Sequence, residues 1–111
     1  MRKEKIKILF VCNQGENRSK TAKELFSKKY ETKSAGIYAI EEENMLTKEL
    51  LEWADIIIVM EESHRRWISH EFPKQYMMKK ILCLDIPDIY QYNQPELIDV
   101  LKMKVKKELK K

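Results

Sequence analysis

Residues 6–19 read Ile6-Lys7-Ile8-Leu9-Phe10-Val11-Cys12-Asn13-Gln14-Gly15-Glu16-Asn17-Arg18-Ser19. Ile6 to Val11 is an apolar, largely β-branched and aromatic run, which predicts a buried strand. The polar stretch that follows, with one glycine, predicts a tight loop. From Ser19 to about Tyr30, Ala22, Leu25, Phe26 and Tyr30 recur at helical spacing, which predicts a helix. A buried strand thus runs through a short loop into a helix.

The same alternation continues outward. Glu31 to Ala35 reads as a short strand closed by Gly36. Thr47 is a candidate N-cap for a helix to Ala54 that carries Leu50, Leu51 and Trp53. Ile56-Ile57-Ile58-Val59-Met60 is the clearest strand, continuously apolar and β-branched. Ser63 is placed to cap a helix reaching Glu71, with Trp67 and Ile68 buried and Phe72-Pro73 ending it. Ile81 to Leu84 is the last strand. Pro95 suits the first position of a final helix that buries Leu97, Ile98, Leu101, Val105 and Leu109. Strands without polar alternation, separated by helices, predict a parallel sheet covered on both faces. The expected fold is α/β, one three-layer domain over residues 1–111, with the loop of residues 12–18 just beyond the first strand. Ligands of such sheets bind beyond the carboxyl ends of the strands, where the strand order reverses.

Composition narrows the function classes. The 111 residues are 43% hydrophobic and 36% charged, a soluble globular balance, and no apolar run approaches the ~20 residues of a membrane helix. The start Met1-Arg2-Lys3-Glu4-Lys5 shows no cleavage-site pattern, so the expected location is the cytoplasm. Two cysteines, Cys12 and Cys83, make a poor disulfide framework; each is read as a single thiol, with Cys83 expected to be buried in its strand. The net charge of +4 owes much to Lys102, Lys104, Lys106, Lys107, Lys110 and Lys111, read either as a solvated helix face or as a patch for acidic ligands. Only Gly15 and Gly36 occur, too few for the glycine-rich loops that hold ATP or NAD. His64 and His70 stand six apart on one predicted helix and do not share a face, so no metal site is expected.

The loop after the first strand carries the chemistry. Backbone N–H groups ahead of a helix N-terminus, with the helix dipole, favour an anion. The same field favours the thiolate of a cysteine placed there, which makes Cys12 a candidate nucleophile. Arg18, six positions on, returns a planar fork suited to two phosphate oxygens. Ser19 can donate to the sulfur, and Gly15 sits where a left-handed backbone is plausible. A leaving oxygen needs an acid. The segment Asp85-Ile86-Pro87-Asp88-Ile89-Tyr90, after the last strand, offers Asp85 and Asp88, one for catalysis and the other for the loop. Tyr90 and Tyr92 read either as pocket walls or as ordinary half-buried aromatics. Glu61 and Glu62 read as a polar exit from the third strand.

Cys12 followed by Arg18-Ser19 after a hydrophobic strand resembles the low-molecular-weight protein tyrosine phosphatases. Ser34-Ala35-Gly36 resembles that family's second-strand turn, Ala54 to Met60 its third strand, and the Asp88 loop its general-acid loop. The resemblance covers most of the chain in order. It implies a four-stranded parallel sheet and a cysteinyl-phosphate intermediate. Cys12 would be the nucleophile, Arg18 the phosphate clamp and Ser19 the stabiliser of the thiolate. The backbone of Asn13, Gln14, Gly15, Glu16, Asn17 and Arg18 would cradle the oxyanion; Tyr90 stays a substrate-side candidate on the loop's own reading. The family's acid is an Asp followed by Pro and an aromatic. Asp88-Ile89-Tyr90 keeps the Asp and the aromatic without the Pro, and Asp88 is preferred to Asp85. The chain departs from the family in three further ways: a shorter segment between Tyr38 and Leu46, where a further helix is usual; Gly15 in place of Asn; and Gln14 in place of Gly.

The first expectation is a phosphomonoester hydrolase that takes phosphotyrosine in a protein, or a small aryl phosphate, and releases inorganic phosphate. It calls for no cofactor, membrane or nucleic acid. Arsenate reductase shares the scaffold, but its intramolecular form needs more nearby cysteines than Cys83. A sugar-transport phosphocarrier is disfavoured by Arg18-Ser19. A non-catalytic phosphate-binding module completes the set.

Overall fold

Four parallel strands lie in the order β2-β1-β3-β4: β1 Lys7–Cys12, β2 Glu31–Gly36, β3 Ile56–Val59 and β4 Lys80–Cys83. The computed structural model describes residues 4–110. The strand order reverses at β1, whose neighbours are β2 on one side and β3 on the other. The C-terminal end of β1, where Cys12 sits, is therefore the switch point of the sheet.

Side-chain alternation along β1 divides the core in two. Ile8, Phe10 and Cys12 face one layer with Ala22, Leu97, Leu101 and Val105. That layer holds helices α1 (Arg18–Leu25) and α5 (Pro95–Leu109). Leu9 and Val11 face the other layer with Leu51, Ala54 and Ile68. Its helices are α2 (Lys48–Trp53), α3 (Glu62–Glu71) and α4 (Pro73–Met78). Covering both faces explains why Ile57, Ile58 and Val59 are all fully buried without alternation. Among the described residues no helix is long and apolar enough to cross a membrane.

Several local expectations change. Thr47 does cap α2, accepting from the Leu50 N–H at 3.2 Å. Ser63 does not cap α3: Glu61 is the N-cap, and its backbone N–H donates to His64 Nδ1 at 3.0 Å. Phe72-Pro73 ends α3 but also starts α4, because proline at the first helical position has no N–H to leave unpaired. The α1 helix stops at Leu25 and the chain reaches Tyr30 through turns. Cys83 is half-buried, not buried, since β4 is an edge strand. The short segment between Tyr38 and Leu46 holds one 3₁₀ turn, Glu42–Asn44. Lys102, Lys106, Lys107 and Lys110 are exposed, whereas Lys104 Nζ donates to the carbonyls of Leu84 and Asp85 at 2.9 and 3.0 Å.

Candidate active site

The loop of residues 13–17 is held against the end of β2. The Ile37 N–H donates to Cys12 O at 3.1 Å and the Tyr38 N–H to Asn13 O at 2.7 Å. Gly15 has φ 76°, a left-handed conformation that glycine adopts without strain. The turn brings the Gly15 N–H to 3.2 Å from Cys12 Sγ, and Ser19 Oγ lies 3.0 Å from the same sulfur. Two potential donors thus converge on Cys12, which is only 3% exposed. Both are placed to hydrogen-bond the sulfur.

Arg18 opens α1 and is 1% exposed. Its Nη1 donates to Glu61 Oε2 at 2.6 Å and to Ile86 O at 2.7 Å. Its Nε stands 3.7 Å from Asp88 Oδ1 in an ion pair, and Nε and Nη2 are buried with no hydrogen-bond partner. Guanidinium donors buried without acceptors are costly, and an anion would relieve that cost. Arg18 lines a cleft of about 190 Å³ together with Cys12, Asn13, Gln14, Asn17 and Asp88. The cleft is sized for one small polar group.

Asp88 reaches this cleft and Asp85 does not. Asp88 Oδ2 accepts from Asn13 Nδ2 at 3.2 Å. Asp85 has φ 54° and turns the other way, where its Oδ1 accepts from Cys83 Sγ at 3.4 Å. Glu16 is exposed and does not line the cleft. Tyr90 is also absent from the lining: half-buried, it packs on the core layer of α1 and α5. Tyr92 donates its hydroxyl to Glu24 and lies under Lys20 Nζ, 5.1 Å from the ring centre. The tyrosines expected at the pocket thus serve the α1 side of the fold. Exposed apolar residues beside the loop include Tyr38, hydrogen-bonded to it through its backbone, and Ile89, adjacent to Asp88.

Sequence reasoning missed two members of the site. Glu61, read as a polar exit from β3, holds Arg18. His64, considered only as a metal ligand, is fully buried and its Nε2 lies 2.8 Å from Asn13 Oδ1. Burial, reinforced by the Arg18 charge, pushes the His64 pKa down to about 4 against the smaller opposing pull of Glu61 and Asp88. The one signal for Glu61 is its place directly after Met60, at the C-terminal end of the strand beside β1.

Cys83 plays no part in the cleft. It pairs with Val59, which pairs in turn with Val11, so β3 separates the strands of the two cysteines. Two strand spacings of ~4.8 Å exceed the span of a disulfide. Burial, with Asp85 and Glu62 alongside, pushes the Cys83 thiol up to about 12. It is protonated at neutral pH and unsuited to resolve an oxidised or arsenylated Cys12.

The sequence matches no protein-family model and no curated protein. Solved structures do match. The tyrosine phosphatase Wzb from Escherichia coli, in complex with phosphate, is 22% identical with TM-score 0.75, covering 96% of this chain and 97% of that one. A low-molecular-weight protein tyrosine phosphatase from T. tengcongensis is 23% identical with TM-score 0.73, covering 95% and 98%. The YwlE arginine phosphatase from Geobacillus stearothermophilus is 25% identical with TM-score 0.64, covering 93% and 94%. The chain has the α/β fold of the low-molecular-weight tyrosine phosphatases along nearly its whole length.

Proposed function

We propose that this protein is a phosphatase that hydrolyses phosphate monoesters through a cysteinyl-phosphate intermediate, with phosphotyrosine in proteins as its substrate class. The observation that carries the reading is the pair of buried donors on Arg18 that lack a hydrogen-bond acceptor, in the same cleft as the sulfur of Cys12. The structural neighbours, two tyrosine phosphatases and an arginine phosphatase, support it. Exposed Tyr38 and Ile89 near the cleft favour an aromatic ester.

The reaction runs in two displacements. The Cys12 thiolate attacks phosphorus, the S–P bond forms, and the bond to the ester oxygen breaks. Asp88 gives its proton to that oxygen, so the substrate leaves as a neutral phenol. Arg18 Nε and Nη2 and the loop N–H groups hold the three equatorial oxygens. Water then attacks phosphorus and gives a proton to the Asp88 carboxylate. The S–P bond breaks, inorganic phosphate leaves and the thiolate is restored. Ser19 Oγ and the Gly15 N–H stabilise the sulfur as nucleophile and as leaving group. The work calls for a thiol kept reduced, which fits the cytoplasm.

Turnover of an aryl phosphate tests the reading. Wild type should release phosphate, Cys12→Ser should abolish release while keeping the fold, and Cys83→Ser should retain most activity. Near-wild-type turnover by Cys12→Ser would overturn the mechanism. Arsenate reduction by the wild type would favour the related reductase chemistry instead.

A further inference from the structure

The hydrogen-bond chain that passes through His64 has a fixed direction. The Glu61 backbone N–H can only donate, so His64 Nδ1, at 3.0 Å, is the unprotonated acceptor. The imidazole proton therefore resides on Nε2, which donates to Asn13 Oδ1 at 2.8 Å. With its oxygen so engaged, the Asn13 carboxamide presents Nδ2 to Asp88 Oδ2 at 3.2 Å. An amide nitrogen cannot accept, so Oδ2 is committed as an acceptor. The other carboxyl oxygen, Oδ1, takes part in no hydrogen bond of this chain and lies on the Arg18 side, 3.7 Å from Nε across the ion pair.

From this chain we infer that His64 is a positioning residue of the active site: through Asn13 it fixes the Asp88 carboxyl so that Oδ1 carries the proton delivered to the leaving group. The inference rests on the phosphatase reading above. Asp88 needs such a tether because its side chain is 51% exposed and stands on a loop, where a free carboxyl samples several rotamers. A small misplacement of a catalytic group costs up to ~10²-fold in rate. The same imidazole holds the N–H of Glu61, whose carboxylate anchors Arg18, so the nearby charged groups around the ring, Arg18, Glu61 and Asp88, are all members of the site. His64 touches no reacting atom. Its role is to turn a rigid backbone donor at the start of α3 into a defined carboxyl orientation across the cleft.

The test is kcat across phenyl phosphates of graded leaving-group pKa for wild type, His64→Leu and His64→Gln, alone and with Asp88→Asn. His64→Leu should lose ~10- to 100-fold with poor leaving groups and little with activated ones. His64→Gln can accept from the Glu61 N–H and donate to Asn13, so it should recover the wild-type slope. In the Asp88→Asn background, His64→Leu should add no further dependence. A wild type that turns over aryl phosphates beside a His64→Leu variant of unchanged slope overturns this inference and leaves the phosphatase reading standing. A wild type without turnover overturns the phosphatase reading and removes the reaction that His64 would serve. Should His64→Leu fail to fold, nitrogen NMR of the wild-type imidazole decides: a proton on Nε2 supports the chain, and a proton on Nδ1 overturns it.

Discussion

A Cβ added to Gly36 would stand 2.3 Å from the carbonyl carbon of Gln14 and 2.5 Å from the Gly15 nitrogen. The end of β2 is therefore packed directly on the backbone of the anion loop, with no room for a side chain. The obstruction is backbone, which cannot swing aside as a flexible side chain would. Gly36→Ala should displace the loop, at a stability cost of about 1–3 kcal/mol for an overpacked site. Activity should fall much further than that cost alone explains, because Cys12 and the loop donors move relative to Arg18. Urea denaturation alongside aryl-phosphate kinetics checks this. A variant with wild-type kcat/KM would show that the loop tolerates the shift.

Arg18 divides its guanidinium between two tasks. Nη1 is occupied by Glu61 and the Ile86 carbonyl, while Nε and Nη2 have no hydrogen-bond acceptor and would serve the proposed phosphate. Lysine has one nitrogen and cannot hold the anchor and the anion at once. Arg18→Lys should lower kcat by ~10²- to 10³-fold, the scale seen when an oxyanion donor is removed. The loss should appear mainly in kcat if the fork tightens in the transition state. Unchanged kcat and KM would remove Arg18 from the site.

The fold was legible because its decisive segments are local. Ile8 to Val11 and Ile57 to Val59 are buried on both faces of the sheet, so their composition announces a covered parallel sheet. The loop from Cys12 to Ser19 was legible for the same reason: its parts lie within one short stretch of chain. Glu61 and His64 were not, since each meets its partner across 43 and 51 residues of sequence. The place of Glu61 at the end of β3 is shared by an arginine anchor and a solvated carboxylate alike. Of the two readings of Tyr90, pocket wall beside Asp88 or ordinary half-buried aromatic, its packing matches the second, because α1 and α5 leave an apolar surface that draws its ring inward. Pro73 ends one helix and begins another, and its sequence signature is the same for both.

His64 ties stability to pH. Folding lowers its pKa from 6.5 to about 4, so between these values the unfolded chain binds the proton and the native state does not. Stability from this group is full above pH 6.5, falls as the pH drops toward 4, and is lost no further below it. At ~1.4 kcal/mol per pKa unit, the whole effect is about 3 kcal/mol. His64→Gln, which cannot titrate, should lose less stability than wild type between pH 7 and pH 4. Urea denaturation of both proteins at the two pH values measures the difference. Equal losses would mean that His64 accepts its proton in the native state as easily as in the unfolded chain.

The two aspartates differ in what surrounds them, and that difference can be read in kinetics. Asp88 shares the cleft with Cys12 and Arg18, whereas Asp85 accepts from Cys83 Sγ and its backbone carbonyl from Lys104 Nζ. If Asp88 delivers the proton, its loss should matter in proportion to the help that the leaving oxygen needs. Asp88→Asn should reduce kcat by ~10²- to 10⁴-fold for a phenyl phosphate with a basic leaving group, the usual range for general acid catalysis. With a strongly activated aryl ester, whose oxygen departs without a proton, the reduction should nearly vanish. Asp85→Asn should give a small and uniform change across the series, since Asp85 does not line the Cys12 cleft. A steep leaving-group dependence in Asp85→Asn and none in Asp88→Asn would reverse the assignment. Its absence from both would place the acid outside this loop, and Glu61, the remaining carboxylate on Arg18, would be the next to replace.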